Sequence, residues 1–274
     1  MHVYASLTEF KNFIQENGAT VRTSTTDDVE MLGLLESVSR RIDEWTARGS
    51  GFGPVTATRY FDTNLERELF LDDDVSSAAA VVTLGGSTLT NLTDYDLIRG
   101  DGKYGDPPYR RIRMPDGSNL GYGRKNLTIA GTWGYPVVTR VLTPTPAEAL
   151  DASETEIDVS ALTGISVGMT LLIESEQVYV RATTDSTTDS ITVDRGVNGT
   201  TAAIHDTAKA ITRFVYDARV VDACKRVALR RWRARDAGAD GFDGGGQMGT
   251  IAPREGEDLI LARTVGSLKI EQVA

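Results

Sequence analysis

Two stretches of helical period stand near opposite ends of this chain, and what lies between them is written in the period of strands. In DDVEMLGLLESVSRRIDEWTARG the apolar residues Met31, Leu35, Val38, Ile42 and Trp45 step by 4, 3, 4 and 3, which places them on one face of a helix. Asp27 and Asp28 open that stretch and Arg48 closes it, the signs that a helix dipole favours. Far along the chain, VYDARVVDACKRVALRRWRARDA repeats the pattern with Val221, Cys224, Ala228 and Trp232 on one side. A shorter helix is predicted over 6–16, where Ser6 or Thr8 can cap, Phe10, Phe13 and Ile14 form the stripe and Gly18 stops it. The three predicted helices are thus 6–16, 27–48 and 215–237. A helix is buried along one stripe only, so these must pack on one another or on a sheet.

From residue 55 the segments 57–62, 67–72, 79–84, 94–98, 109–113 and 126–132 are short, rich in Val, Ile, Leu, Tyr and Phe, and parted by Asp, Gly, Pro or Asn. They predict a β subdomain over 55–138. The stretch 99–108 and Pro115-Asp116-Gly117 read as loops, and the run Asp72-Asp73-Asp74 as a solvated turn. LTPTPAEALDASE then breaks the pattern with two prolines, and a second β-rich block follows with Ile157 and Val159, LLIESEQVYV and SITVDRGVNG, its TTDSTTDS segment a turn. That block, 142–213, holds four basic residues against eleven acidic ones, −7 of the chain's net −10. Such a compositional break suggests a small domain inserted into a larger one. The fold class expected is α+β: a helical bundle with a β-rich subdomain and a separate inserted small β domain.

The helix at 215–237 runs against the charge of the rest, with seven basic residues opposing Asp217, Asp222 and Asp236. Arginine outnumbers lysine six to one there, which suits planar pairing with carboxylates. Its arginines Arg226, Arg230, Arg233 and Arg235 are the candidate partner contacts, with a neighbour's carboxylates as their complement. GADGFDGGGQMG after it reads as a mobile glycine linker. The last stretch has Leu259, Ile260, Leu261, Leu268 and Ile270, enough apolar surface to dock against something but too little to fold alone. Its deletion over 250–274 is expected to cost little stability.

Several functions are disfavoured. A net charge of −10 opposes coating of nucleic acid, since that binding rests on phosphate neutralisation. One cysteine, Cys224, allows no intrachain disulfide, and His2 and His205 alone cannot supply a His/Cys metal site. No apolar run approaches the roughly 20 residues that span a bilayer, and the N-terminus lacks the form of a signal peptide. Gly164-Ile165-Ser166-Val167-Gly168 matches a nucleophile elbow, with Asp194 and His205 downstream in hydrolase order. That motif needs a strand before it and a helix after it, and here a strand follows. No phosphate loop is present, and Arg99-Gly100-Asp101 is a chance tripeptide. No catalytic, cofactor-binding or metal-ligating residue is assigned, and the chain is read as not an enzyme.

The order of the elements is specific where each alone is weak. YASLTEFK, LLESVSRRIDEWTARGSGF, RYFDT, ELFLDDD, DYDLIR, PPYRRIRM, NLTIAGTWGYP and VVDACKRVALRRWRARDAG follow one another over 1–138 and 215–238. In that order they resemble the head-to-tail adaptor, or connector, proteins of long-tailed double-stranded DNA phages. The chain departs from the family pattern where the block at 142–213 separates the GTWGYP strand from the last helix. The block's SVGMTLLIESEQVYV and VDRGVNGTTAAIH are similar to a small β module recurrent in phage structural proteins. The resemblance implies an adaptor domain of 1–141 plus 214–249, the insert 142–213, and a C-terminal docking tail 250–274. It implies a virion protein of the neck, made in the host cytoplasm, in a ring of twelve copies beneath the portal protein. Such a ring extends the DNA channel and carries the next neck protein, a stopper or tail terminator. Packaged DNA passes through the lumen without sequence-specific binding, and an acidic wall suits that passage. Leu259, Ile260 and Leu261 are then the portal-docking candidates. The alternative is a β-rich carbohydrate- or receptor-binding module of a phage tail or surface structure, working through 99–122 or the insert.

Overall fold

The computed structural model describes residues 2–18, 27–236 and 256–270. The protein is a mixed α and β chain with two antiparallel sheets. It divides into two compact units: Met1–Ala47, Thr139–Val197 and Thr201–Ala274 form one, and Arg48–Val138 with Asn198–Thr200 the other.

In the first unit, α1 (Leu7–Glu16) starts from Ser6, whose hydroxyl accepts the Glu9 amide while the Glu9 carboxylate accepts the Ser6 amide, a reciprocal cap. Helix α2 (Asp28–Thr46) ends earlier than Gly49, because Ala47 itself takes the left-handed conformation at φ 57°. Its stripe Met31, Leu35, Val38 and Ile42 is buried as the period requires.

The second unit is built from β1 (Val55–Asn64), β2 (Glu68–Val75), β3 (Val81–Leu84), β4 (Ser87–Leu89), β5 (Asp96–Arg99), β6 (Tyr109–Arg113) and β7 (Tyr122–Trp133). They form one sheet in the order β4-β3-β7-β2-β6-β5, with β1 antiparallel to β7 from Val55 opposite Trp133 to Asn64 opposite Tyr122. Its core gathers Leu71, Tyr95, Ile112, Leu120, Leu127, Ile129 and Trp133. The acidic run corrects the expectation of a solvated turn. Asp72, Asp73 and Asp74 lie on β2, and Asp73 and Asp74 are fully buried. Arg59 binds Asp72 at 2.8 Å and Asp73 at 2.9 Å, and Arg48 pairs with Asp74. Buried charges persist only when paired, and pairing is what admits these aspartates to the interior. Arg48 lies over the rings of Phe52 and Tyr135, at 5.0 and 4.8 Å, and Arg59 over Trp133 at 4.1 Å.

Back in the first unit, β8 (Val138–Val141), β9 (Glu156–Asp158), β10 (Thr170–Ile173), β11 (Glu176–Thr184), β12 (Ser190–Asp194) and β13 (Ile211–Val215) form the other sheet, in the order β8-β13-β10-β11-β12-β9. β11 runs on to Thr184 and β12 starts at Ser190, so the expected TTDSTTDS turn is confined to its middle residues 185–189. The block 142–213 has its own apolar core of Ile157, Leu171, Ile173, Val178, Val180, Ile191 and Ile211. It also shares a compact unit with the helices. The Leu7 amide donates to the Val167 carbonyl at 3.0 Å, and the Tyr179 hydroxyl to Glu36 at 2.8 Å. Helix α3 (Ala218–Asp236) follows, and α4 (Glu257–Val265) runs into a 3-10 turn at Gly266–Leu268. The glycine linker expected at 238–249 lies outside the described residues.

Candidate partner interface

Helix α3 buries Val220, Ala223, Cys224, Val227, Ala228 and Trp232, so Val220 rather than Val221 leads the inward stripe. That stripe meets α2 where the Cys224 Sγ lies 3.7 Å from the Ser39 hydroxyl, which itself donates to the Leu35 carbonyl at 2.8 Å. The Tyr4 amide donates to the same hydroxyl at 3.2 Å. Burial pushes the Cys224 thiol up to about 12, so it stays protonated and unreactive at neutral pH.

The outward arginines divide into two groups. Arg231 and Arg235 are tied within the chain: Arg231 grips Glu257 with two bonds of 2.8 Å, and Arg235 reaches Glu30 at 2.6 Å while lying over Trp232. The Arg231 guanidinium, partly opposed by burial, holds the Glu257 carboxyl below its usual range. Arg226, Arg230 and Arg233 rim a groove of about 250 Å³, whose other described walls are Phe13, Asn17, Leu229 and Ile260. Arg226 binds Asp222 one turn back at 2.7 Å, and Arg233 donates to the Asn17 carbonyl at 2.7 Å. That last bond satisfies an orphan acceptor where α1 ends. Among the described residues no carboxylate lines the groove itself, although the Arg226 guanidinium on its rim is paired with Asp222. It therefore offers an apolar floor under three guanidinium groups.

The residues singled out from sequence are only partly brought together. Arg226, Arg230, Arg233 and Ile260 share the groove, whereas Arg235 is drawn to Glu30. Leu259 is 45% exposed, but Leu261 is fully buried within the chain and is not presented to a partner in this conformation. The tail does order against something, and that something is this chain itself. Leu261, Val265, Leu268 and Ile270 are buried, and the Ile270 amide donates to the Thr46 carbonyl at 2.9 Å. A helix was not foreseen there, because its apolar residues are too few to advertise one. Burial of four apolar side chains also revises the expectation that losing 250–274 costs little stability.

The residues of the hydrolase-like motif are each engaged elsewhere. Ser166 bonds the Thr8 hydroxyl at 2.8 Å and Asp194 binds Arg181 at 2.6 Å. His205 places Nδ1 2.8 Å from Glu174 and Nε2 2.8 Å from Glu176. Sequence reasoning missed this second cluster. Glu176 is fully buried and accepts from Arg195 at 2.7 and 2.8 Å, from the Gly196 and Ala203 amides at 3.0 Å, and meets His205. Burial alone would raise its pKa, but these partners outweigh burial and bring it to about 2. Glu174, bonded by Lys209 and His205, is likewise held low. The available signal was slight: a rare histidine, and two glutamates flanking the turn of an apolar hairpin.

Among the described residues no group of His, Cys, Asp and Glu is arranged to hold a metal ion, and no helix is long and apolar enough to cross a membrane. No protein-family model, curated protein or solved structure matches this chain.

Proposed function

We propose that this chain is a head-to-tail adaptor of a phage virion. In this reading α1 to α4 are the helical bundle of the adaptor, twelve copies close a ring beneath the portal protein, and the ring extends the channel through which packaged DNA passes. The next neck protein, a stopper or tail terminator, sits on the far side, and no membrane is involved. The observation that carries the proposal is the packing of α3 on α2 through Cys224 and Ser39. Two regions separated along the chain by all the β material meet as one body, as the resemblance requires. The arginine-rimmed groove supports it further, because a ring needs unlike patches on each copy.

The test is localisation and docking. Gold-labelled antibody against the chain should mark the tail-bearing vertex of intact particles, and negative-stain images of the chain mixed with portal rings should show stacked rings. Label on the tail shaft or fibres, with no binding to portals, would sink the proposal. A second reading rests on one observation in the β unit. Tyr122 is 77% exposed beside Asp62, Asn64, Glu66 and Arg124 around an open groove of about 320 Å³, a ring-and-polar pattern that suits a sugar. Glycan-array binding lost in Tyr122→Ala would favour that carbohydrate-binding role.

A further inference from the structure

The groove beside Tyr122 is built by a break in an otherwise regular pairing. Strands β1 and β7 match residue for residue from Val55 opposite Trp133 to Phe61 opposite Leu127, and they match again from Thr63 opposite Gly123. Between those points Asp62 alone faces Arg124, Lys125 and Asn126, so β7 carries a bulge of two extra residues. Lys125 takes the left-handed conformation there, at φ 51°, which disfavours any residue with a Cβ. Bulges and strained residues re-aim side chains and gather at functional sites. Here the Lys125 amide donates to Asp62 Oδ1 at 2.7 Å and fixes that carboxylate in the wall, while the Asn64 amide donates to Glu66. Tyr122, opposite Asn64 in the register, is 77% exposed. The described walls thus set an exposed phenol ring beside two carboxylates, a carboxamide and the Arg124 guanidinium.

We infer that this groove takes an uncharged pyranose, a neutral hexose or its N-acetyl derivative, and turns away acidic sugars. The inference rests on the carbohydrate reading of the groove and not on the adaptor reading. The Tyr122 ring offers a flat apolar surface to the C–H face of a pyranose, with its hydroxyl at the wet edge. A carboxylate already gripped through one oxygen accepts a sugar hydroxyl with the other, in a geometry set before the ligand arrives. Asp62 is held in that way by the Lys125 amide and Glu66 by the Asn64 amide. The two carboxylates outnumber the Arg124 cation, and the Lys125 ammonium lies over the Tyr60 ring at 5.5 Å rather than among the described walls. A sugar that brings a carboxylate of its own therefore meets like charge, whereas one that brings only hydroxyl donors does not.

The test is saturation-transfer NMR on the full-length chain at neutral pH. The probes are the methyl glycosides of glucose, galactose, mannose and N-acetylglucosamine, with those of glucuronic and galacturonic acid. At least one neutral glycoside should take up saturation on its ring protons, and competition against the uronide that differs only at C6 should favour the neutral sugar by about tenfold. Tyr122→Ala should abolish the uptake. Asp62→Asn keeps an acceptor for the Lys125 amide but removes the charge; it should weaken the neutral glycoside by about tenfold and narrow its lead over the uronide. The wild-type competition needs no variant, so it decides even where a variant fails to fold. Equal or stronger uptake by a uronide, lost in Tyr122→Ala, overturns this inference and leaves the carbohydrate reading standing. Undiminished neutral binding in folded Asp62→Asn overturns it as well. Uptake by none of these glycosides overturns the inference and the carbohydrate reading together.

Discussion

Replacing Glu176 by Gln keeps the shape of a fully buried side chain and removes its charge, which leaves Arg195 facing three backbone carbonyls and no carboxylate. The magnitude follows from the pKa. The carboxyl titrates near 4.5 in an unfolded chain and near 2 here, and at about 1.4 kcal/mol per pH unit the charged form contributes about 3 kcal/mol of stability. Because the folded pKa is the lower one, that contribution is fully present above about pH 4.5 and is lost as pH falls toward 2. Urea unfolding followed by far-UV circular dichroism, at several pH values from 7 to 2.5, measures it. The wild-type chain should exceed Glu176→Gln by about 3 kcal/mol at pH 7, and the gap should narrow steadily below pH 4.5. A gap that stays constant down to pH 2.5 would falsify the assignment of that stability to the ionised carboxylate. No gap at pH 7 would show that the five bonds to Glu176 merely offset its desolvation.

Four further outcomes are expected. Asp74→Ala strips buried Arg48 of its carboxylate and should cost about 3–5 kcal/mol in urea unfolding. Gly134→Ala sets a Cβ against the Gly53 carbonyl at a backbone angle of +106° and should lower stability by about 1–3 kcal/mol, readable as a fall in Tm. Leu261→Ala should cost about 2–5 kcal/mol and raise amide exchange through 257–268, since α4 loses an inward anchor. Cys224 should not react with a thiol reagent at pH 8 until denaturant is added, and prompt labelling of the folded chain would contradict its burial.

Helices α1 to α3 were legible from sequence because a 3.6-residue stripe is a local signal: Met31 to Ile42 faces inward as its spacing demands, and Ser6 caps α1 by a contact three residues long. Most strands were legible for the same reason, but β4, β8 and β13 were not. β4 has only three residues, and β8 is exposed throughout and so shows no alternation. Val215 at the end of β13 reads as the start of the helix that follows, which begins at Ala218. Part of the candidate interface was legible too. Charge on α3 is visible in the letters, and Arg226, Arg230 and Arg233 do share one groove.

What the letters determined, then, is what neighbours along the chain can decide: period, caps, turns and where charge is concentrated. Tertiary structure alone decided which charges are buried and what the tail covers. Asp73, Asp74 and Glu176 look like solvated carboxylates until distant arginines arrive to pair with them, and Leu261 looks free until α4 folds back on its own chain. The physical reason is that burying a charge or docking a short apolar segment is favourable only through partners remote in sequence. Such partners are set by the fold as a whole.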